Sequence, residues 1–375
     1  MSVNYEPILP FSKMAAWMKS QQQAAKQPLS LCPDFPKISA RHEAWWNFEL
    51  DGPPLFVAYA NGELSRPLSR RLDLLQDPEA WFAARFAQLQ QLYHVGDSFP
   101  YFRVDFGPVM LGGLLGAKVE FVSDTCWTHP MVDNNWSNLP TEILPDNPWW
   151  KLLPILTDLT ASQAPGNYIV CTPSLGGTAD LLLNLRGSSA LSLDVIDQPE
   201  KVEQAVKIIY PEWRKVYELL FDICCKWGAG LINWVGLWSN QPYIVTECDF
   251  NYLIGPLQFE KLFLPDIARQ SATVGRSIFH LDGPGATRHI DALLDTPEIQ
   301  AIQYVPGAGN SALSKLDMLR KIQRKKRPLL VTSPANEVLR LCEELDPRGL
   351  AFLIFDSLSV SELNDLYRQV AAKYQ

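Results

Sequence analysis

The sequence predicts an α/β fold, a (β/α)8 TIM barrel preceded by an N-terminal extension at residues 1–40. Three observations carry that expectation. From residue 167 onward, short apolar runs alternate with amphipathic stretches of helical length, the pattern of βαβ units and a parallel sheet. Counted from a strand at 101–106, these runs number about eight, which favours a closed barrel over an open sheet. The stretch 276–309, RSIFHLDGPGATRHIDALLDTPEIQAIQYVPGAG, reads as strand, polar loop, short helix, strand and glycine-rich loop. It sets polar residues where two strands end, and parallel α/β folds carry their chemistry at the carboxyl ends of strands.

The extension is punctuated by Pro7, Pro10, Pro28, Pro33 and Pro36, with a helix expected over 12–26. Residues 41–375 form the expected barrel domain. An aromatic helix is expected at 41–50 and a short strand at 55–59. Residues 77–93 place Trp81, Phe82, Phe86, Leu89 and Leu92 at helical spacing. The glycine-rich run 107–116, GPVMLGGLLG, lacks the Lys-Ser/Thr pair of a P-loop and does not match GxGxxG, so it argues against a phosphate cradle. Residues 119–150 form a long excursion holding Trp127, His129, Asp133, Trp136, Trp149 and Trp150. It reads as a lid or pocket wall, or as a small satellite core.

The regular part then runs strand 168–171, helix 177–186 opening after Gly176 and Gly177, and a long amphipathic helix 199–227. Strands at 231–235 and 244–248 precede a helix at 256–273. Pro256 occupies an allowed early position in that helix, and Pro265 marks a kink. After the 276–309 unit come helix 311–325, strand 329–332, helix 335–345, strand 350–355 and helix 360–373.

Composition bounds the function. The 375 residues are 47% hydrophobic and 20% charged, enough for a large core. A net charge of −8 argues against nucleic acid as a partner. Seven cysteines scattered without regular spacing, and without a CxxC pair, point to reduced thiols in a cytoplasm and away from a thiolate zinc knuckle. The N-terminus shows no signal-peptide pattern, and no stretch reads as a membrane span.

Four segments together resemble the uroporphyrinogen decarboxylase superfamily, which also holds the cobalamin-dependent methyltransferases. They are FHLDGPG (279–285), IQYVPGAG (302–309), TECDFNYLIGPLQFEKLFLP (246–265) and RGSSALSLDVIDQPEKV (186–202). The resemblance covers most of the chain from residue 41 and implies a distorted (β/α)8 barrel. It implies one of two activities: methyl transfer between a small substrate and a corrinoid, or decarboxylation of a porphyrin-related carboxylate. The arginine-rich loop of the decarboxylases is missing. The relatives that methylate thiols hold zinc through His-x-Cys and a second cysteine near the last strand. Here those positions carry Asp282 and, at the chain's last strand, Phe355, Asp356 and Ser357. The chain also lacks an Asp-x-His-x-x-Gly cobalamin loop, so a corrinoid would come on a partner protein.

Two side chains at i and i+2 leaving a strand point to one side, so His280 and Asp282 both face the expected barrel mouth. They are the candidate catalytic pair. With Asp356, and with Asp249 or Glu247 nearby, they form a candidate site for zinc or another divalent ion. Without a metal, His280 would serve as a general acid or base, and the plainest alternative has the pair only bonding loops. Arg288 and His289, at a helix start, are candidates to bind a substrate anion, or a surface arginine and a capping histidine. Trp234 and Trp238 are candidate pocket walls, or ordinary core. Asp249 joins them as a candidate substrate contact, and Cys248 is the one cysteine kept as a possible ligand. The expected partners are a small-molecule substrate, a corrinoid protein and a second copy of the chain as a homodimer. A non-catalytic binding role is the remaining alternative.

Overall fold

The computed structural model describes residues 10–60, 76–122 and 125–375; residues 1–9 of the expected extension lie outside them. In chain order the strands are β1 (Leu55–Ala60), β2 (Tyr93–Gly96), β3 (Tyr101–Arg103), β4 (Val119–Phe121), β5 (Cys126–Thr128) and β6 (Ile169–Cys171). They continue with β7 (Leu231–Ile232), β8 (Tyr243–Glu247), β9 (Arg276–Asp282), β10 (Ala301–Val305), β11 (Leu329–Thr332) and β12 (Leu350–Ile354). One sheet has the order β2-β1-β12-β11-β10-β9-β8, and a second has β3-β6-β7. Every pairing in them is parallel except that of β2 with β1. β4 and β5 form a separate hairpin.

The last strand returns to the first: β12 pairs with β1 in the register Leu55↔Ala351. Among the described residues, however, no ladder joins β7 to β8 or β1 to β3, so the expected closed eight-stranded ladder is not seen. The reason is local. The expected strand 231–235 stops after Ile232, because Asn233 and Gly236 close a turn, with the Gly236 N–H donating to the Asn233 carbonyl at 3.0 Å. Side chains span the break instead. Asn233 Nδ2 donates to the Tyr243 carbonyl at 2.7 Å, and the Tyr243 hydroxyl donates to the Leu237 carbonyl at 2.7 Å. At the other break the Tyr59 and Tyr101 rings meet edge-on at 5.8 Å.

Alternation along the strands sorts their side chains into two apolar clusters. Leu55, Val57, Ile169, Cys171, Ile232, Tyr243, Val245, Ile278, Ala301, Leu330, Ala351 and Leu353, from both sheets, share one. Their neighbours Phe56, Val170, Leu231, Ile244, Phe279, Ile302, Leu329 and Phe352 join the other, with the surrounding helices. The long helix Pro199–Trp227 explains that second layer. Pro199 opens it, Val202, Val206, Ile209, Trp213, Val216, Leu220 and Cys224 face inward, and Gly228 at φ +65° ends it.

The N-terminal helices close the amino end of the sheet. In helix Phe35–Trp46, the Trp46 ring lies 5.4 Å from that of Tyr243, the first residue of β8. Glu43 pairs with Arg276, the first residue of β9, at 2.8 Å. Helix Phe11–Ala24 packs Trp17 against Phe221, and its Gln21 amide donates to the Leu231 and Ser239 carbonyls. With that end filled, the carboxyl ends of the strands are where side chains can converge around a ligand.

Other elements also differ from expectation: the strand expected at 101–106 ends at Arg103, and the helix expected at 41–50 runs Phe35–Trp46. The strand expected at 55–59 is an integral member of the large sheet. The helix expected at 77–93 stops at Gln90, and Tyr93–Gly96 becomes β2. The excursion 119–150 holds the β4–β5 hairpin, after which helix Pro148–Ser162 packs Trp149 against Phe106 at 5.5 Å. Among the described residues no helix is long and apolar enough to cross a membrane.

Candidate functional site

β8, β9 and β10 place three polar residues in one row near their carboxyl ends. Glu247 is in register with His280, and His280 with Gln303. Gln303 is buried, and its Oε1 lies 2.8 Å from His280 Nδ1. The Gln303 amide nitrogen donates to Thr332 Oγ1 at 3.2 Å, which orients the carbonyl oxygen toward the histidine. A neutral His280 ring therefore carries its proton on Nδ1, and its Nε2 lone pair is left for a ligand or a proton. The Trp234 ring meets the His280 ring edge-on at 5.1 Å, and its indole N–H donates to Glu247 Oε1 at 3.0 Å. Ser174 donates to the same oxygen at 2.9 Å. Ser174 and Trp234 follow β6 and β7, so the carboxyl ends of the second sheet meet those of the first at Glu247.

Two more carboxylates complete the group. Asp282 ends β9, where Gly283 at φ +77° turns the chain, and Asp249 opens the short helical turn Asp249–Leu253 after β8. One donor atom each from Asp249, His280 and Asp282 lie within 4.8 Å of one another. Asp180, in helix Thr178–Arg186, stands behind them; one of its oxygens accepts the Phe250 N–H at 3.1 Å and the other is buried without a hydrogen bond among the described residues.

The electrostatics of this group favour a cation. Burial raises the Glu247, Asp282 and Asp180 carboxyls above the usual range, and the Asp249 charge raises each further. Burial alone would lower His280, but Asp249 and Glu247 outweigh it and the imidazole is raised. Three carboxylates thus act on one histidine, and Asp180 faces two of them, Asp249 and Glu247. An imidazole with two carboxylates is an N/O donor set that suits zinc or another divalent ion and leaves coordination positions open.

The other expected site residues fall in different places. Arg288 is exposed; its Nε donates to the Gly285 carbonyl at 2.7 Å and its Nη2 to the Tyr252 carbonyl at 3.4 Å. His289 is buried against Phe259, with Nε2 3.0 Å from the Asn251 carbonyl, and burial lowers its pKa. Both tie the segment after β9 to the turn that carries Asp249. Trp238 is fully buried against Phe35; its backbone N–H donates to His42 Nδ1 at 3.0 Å. Asp356 accepts the Ala335 N–H at 2.5 Å and caps helix Ala335–Glu344, so it is not one of the three clustered donors. Cys248 is buried, and burial raises its thiol well above the ordinary range.

Sequence reasoning missed Gln303, Asp180 and Ser174. The first had a usable signal, a lone amide inside the apolar run AIQYV. Replacing it by leucine removes the acceptor that fixes the His280 tautomer. Gln303→Leu is expected to weaken divalent-metal binding about 10- to 100-fold, read by competition with a zinc chelator; unchanged affinity would show that Nδ1 needs no such partner.

No family model and no curated protein matches the chain. Among solved structures it is similar to a methyltransferase from Methanosarcina mazei, with a TM-score of 0.58 and 12% sequence identity. The match covers 90% of this chain and 99% of that one. At that identity the likeness is one of fold.

Proposed function

We propose that the chain is a metal-dependent methyltransferase that moves a methyl group between a small substrate and a corrinoid carried by a partner protein. One observation carries this most: Asp249, His280 and Asp282 bring an imidazole and two carboxylates within reach of a single ion. The similarity in fold to a methyltransferase supports it. For the fold, the apolar cluster shared by both sheets is what two arcs of one barrel-like domain would build.

Asp249, His280 and Asp282 would hold the ion, with His280 binding through Nε2. When bound, the ion lowers the pKa of a coordinated group or polarises its oxygen. The chain's own residues do the rest. Gln303 keeps the His280 proton on Nδ1. Ser174 and Trp234 hold the Glu247 carboxylate beside the ring, where it can keep or accept a proton. Trp234 gives the histidine an apolar flank and limits water there.

A carboxylate-rich donor set leaves a metal a harder Lewis acid than a thiolate set does. We therefore expect an oxygen-bearing group, an ether or a carboxylate, in preference to a thiol acceptor. Purified protein supplied with zinc should retain it stoichiometrically, and X-ray absorption should show only nitrogen and oxygen neighbours. Two or more sulfur neighbours, or no retained metal at neutral pH, would overturn the assignment. Cob(I)alamin as a surrogate acceptor tests the reaction class: given an aryl methyl ether, it should become methylcobalamin with release of the phenol, and only with the metal present.

A further inference from the structure

The carboxyl ends of β1, β3 and β12 border a cavity of about 450 Å³, lined by Tyr59, His94, Tyr101, Arg103, Asp105 and Phe355 among others. Arg103 is the residue of interest. It ends β3, its Nε lies 3.4 Å from Asp105 Oδ2, and the guanidinium makes no hydrogen bond among the described residues. Asp105 directs its other oxygen to the Gly107 N–H at 2.9 Å. In the same wall the Tyr59 hydroxyl interacts with that of Tyr101, and both His94 ring nitrogens are buried without a partner among the described residues. Burial lowers His94 to about 4, so at neutral pH its ring is uncharged and offers one N–H donor.

A guanidinium presents five donors in a planar fork that matches a carboxylate. Here only Nε is buried without a hydrogen bond among the described residues, and the rest of the fork is open to the cavity, where a ligand carboxylate can meet it. The turn that carries Trp234 links the cavity to the acidic centre: the Tyr59 hydroxyl and the Tyr101 ring lie beside Gly236, and Trp234 reaches Glu247 and the His280 ring.

We propose that Arg103 anchors a carboxylate of the small substrate in this cavity, which places the reacting end of that molecule toward Asp249, His280 and Asp282. Only the second clause rests on the metal-centre reading. The substrate class is then a small organic acid that also carries an oxygen-linked methyl group. Phe355 and the Tyr59 and Tyr101 rings supply its apolar surroundings.

Benzoate, its neutral counterpart benzyl alcohol, and phenyl phosphate are suitable probes, with calorimetry on the full chain in the presence and absence of zinc. Benzoate is expected to saturate, to bind more tightly than benzyl alcohol, and to lose about tenfold or more in affinity in Arg103→Gln, while benzyl alcohol is unaffected by that change. Equal benzoate affinity in the wild type and Arg103→Gln would overturn the proposal, as would a failure to saturate. Phenyl phosphate binding more tightly than benzoate would overturn the carboxylate assignment in favour of phosphate monoesters. If Arg103→Gln does not fold, Arg103→Lys carries the test. It keeps the charge and loses the fork, and undiminished affinity would count against anchoring. Zinc retention by Arg103→Gln should equal that of the wild type. Arg103-dependent benzoate binding in a protein that retains no zinc keeps the anchor and discards the metal centre; zinc retention without benzoate binding does the reverse.

Discussion

His280→Ala and Asp282→Asn are each expected to reduce zinc affinity by a factor of about 100 or more, while moving fold stability in opposite directions. His280→Ala removes the one nitrogen donor of the cluster and orphans the Gln303 carbonyl, a buried acceptor. That costs about 1–3 kcal/mol, less if water entering from the mouth replaces the ring. Asp282→Asn has the other sign in metal-free protein. The Asp249 and Asp282 carboxylates lie within 4.8 Å of one another, with Glu247 and Asp180 behind them. Burial of the Asp282 carboxylate, together with the Asp249 charge, outweighs its attraction to His280, and the amide removes that disfavoured charge without changing the shape. Its thermal midpoint without metal should therefore be at or above that of the wild type, and added zinc should no longer raise it. A site that sacrifices stability to hold a cation gives this pattern. Two residues that merely bonded loops would both lower the midpoint and leave metal uptake alone. Chelator competition and thermal unfolding with and without zinc separate the two cases.

The sequence made His280 and Asp282 visible because strand periodicity and the Gly-Pro-Gly break put them at a carboxyl end, and β9 does end at Asp282. What surrounds them depends on register and on long-range contacts, which periodicity does not encode. Gln303 acquires its meaning only because β10 pairs with β9 so that it stands opposite His280. Trp234 and Trp238 look alike in sequence, four residues apart. The turn through Gly236 separates them, one to Glu247 and the imidazole, the other to Phe35 and His42. Asp356 has the chemistry of a ligand, but the start of helix Ala335–Glu344, adjacent to it only in space, takes its oxygen. The strand order from β8 to β12 was legible because each βα unit is local. The breaks at β7–β8 and β1–β3 were not, because they arise from a turn at Asn233 and from a strand of three residues.

Gly177→Ala is expected to be the most damaging single substitution near the site, at about 3 kcal/mol or more. Gly177 precedes helix Thr178–Arg186 at φ −94°, a conformation any residue can adopt, so its cost is not one of backbone strain. The cost is steric. A Cβ at this position would lie 2.0 Å from the Glu247 carbonyl oxygen and 3.1 Å from its carbonyl carbon. Both are backbone atoms of β8 and cannot rotate away. Either the helix start or the end of β8 must move, and both carry site residues. The helix holds Asp180, which accepts the Phe250 N–H just beyond Asp249. The strand holds Glu247 in its row with His280. Gly52→Ala is the control, because Gly52 has φ +81° and open space around it. There only the left-handed conformation is penalised, about 1–2 kcal/mol, with no effect on metal uptake. Chemical denaturation of the two variants beside zinc titration decides the matter. Gly177→Ala should lose both stability and zinc affinity, because the shift displaces the elements that carry the donors. A variant as stable as Gly52→Ala, with zinc affinity intact, would show that helix Thr178–Arg186 is not what fixes the end of β8.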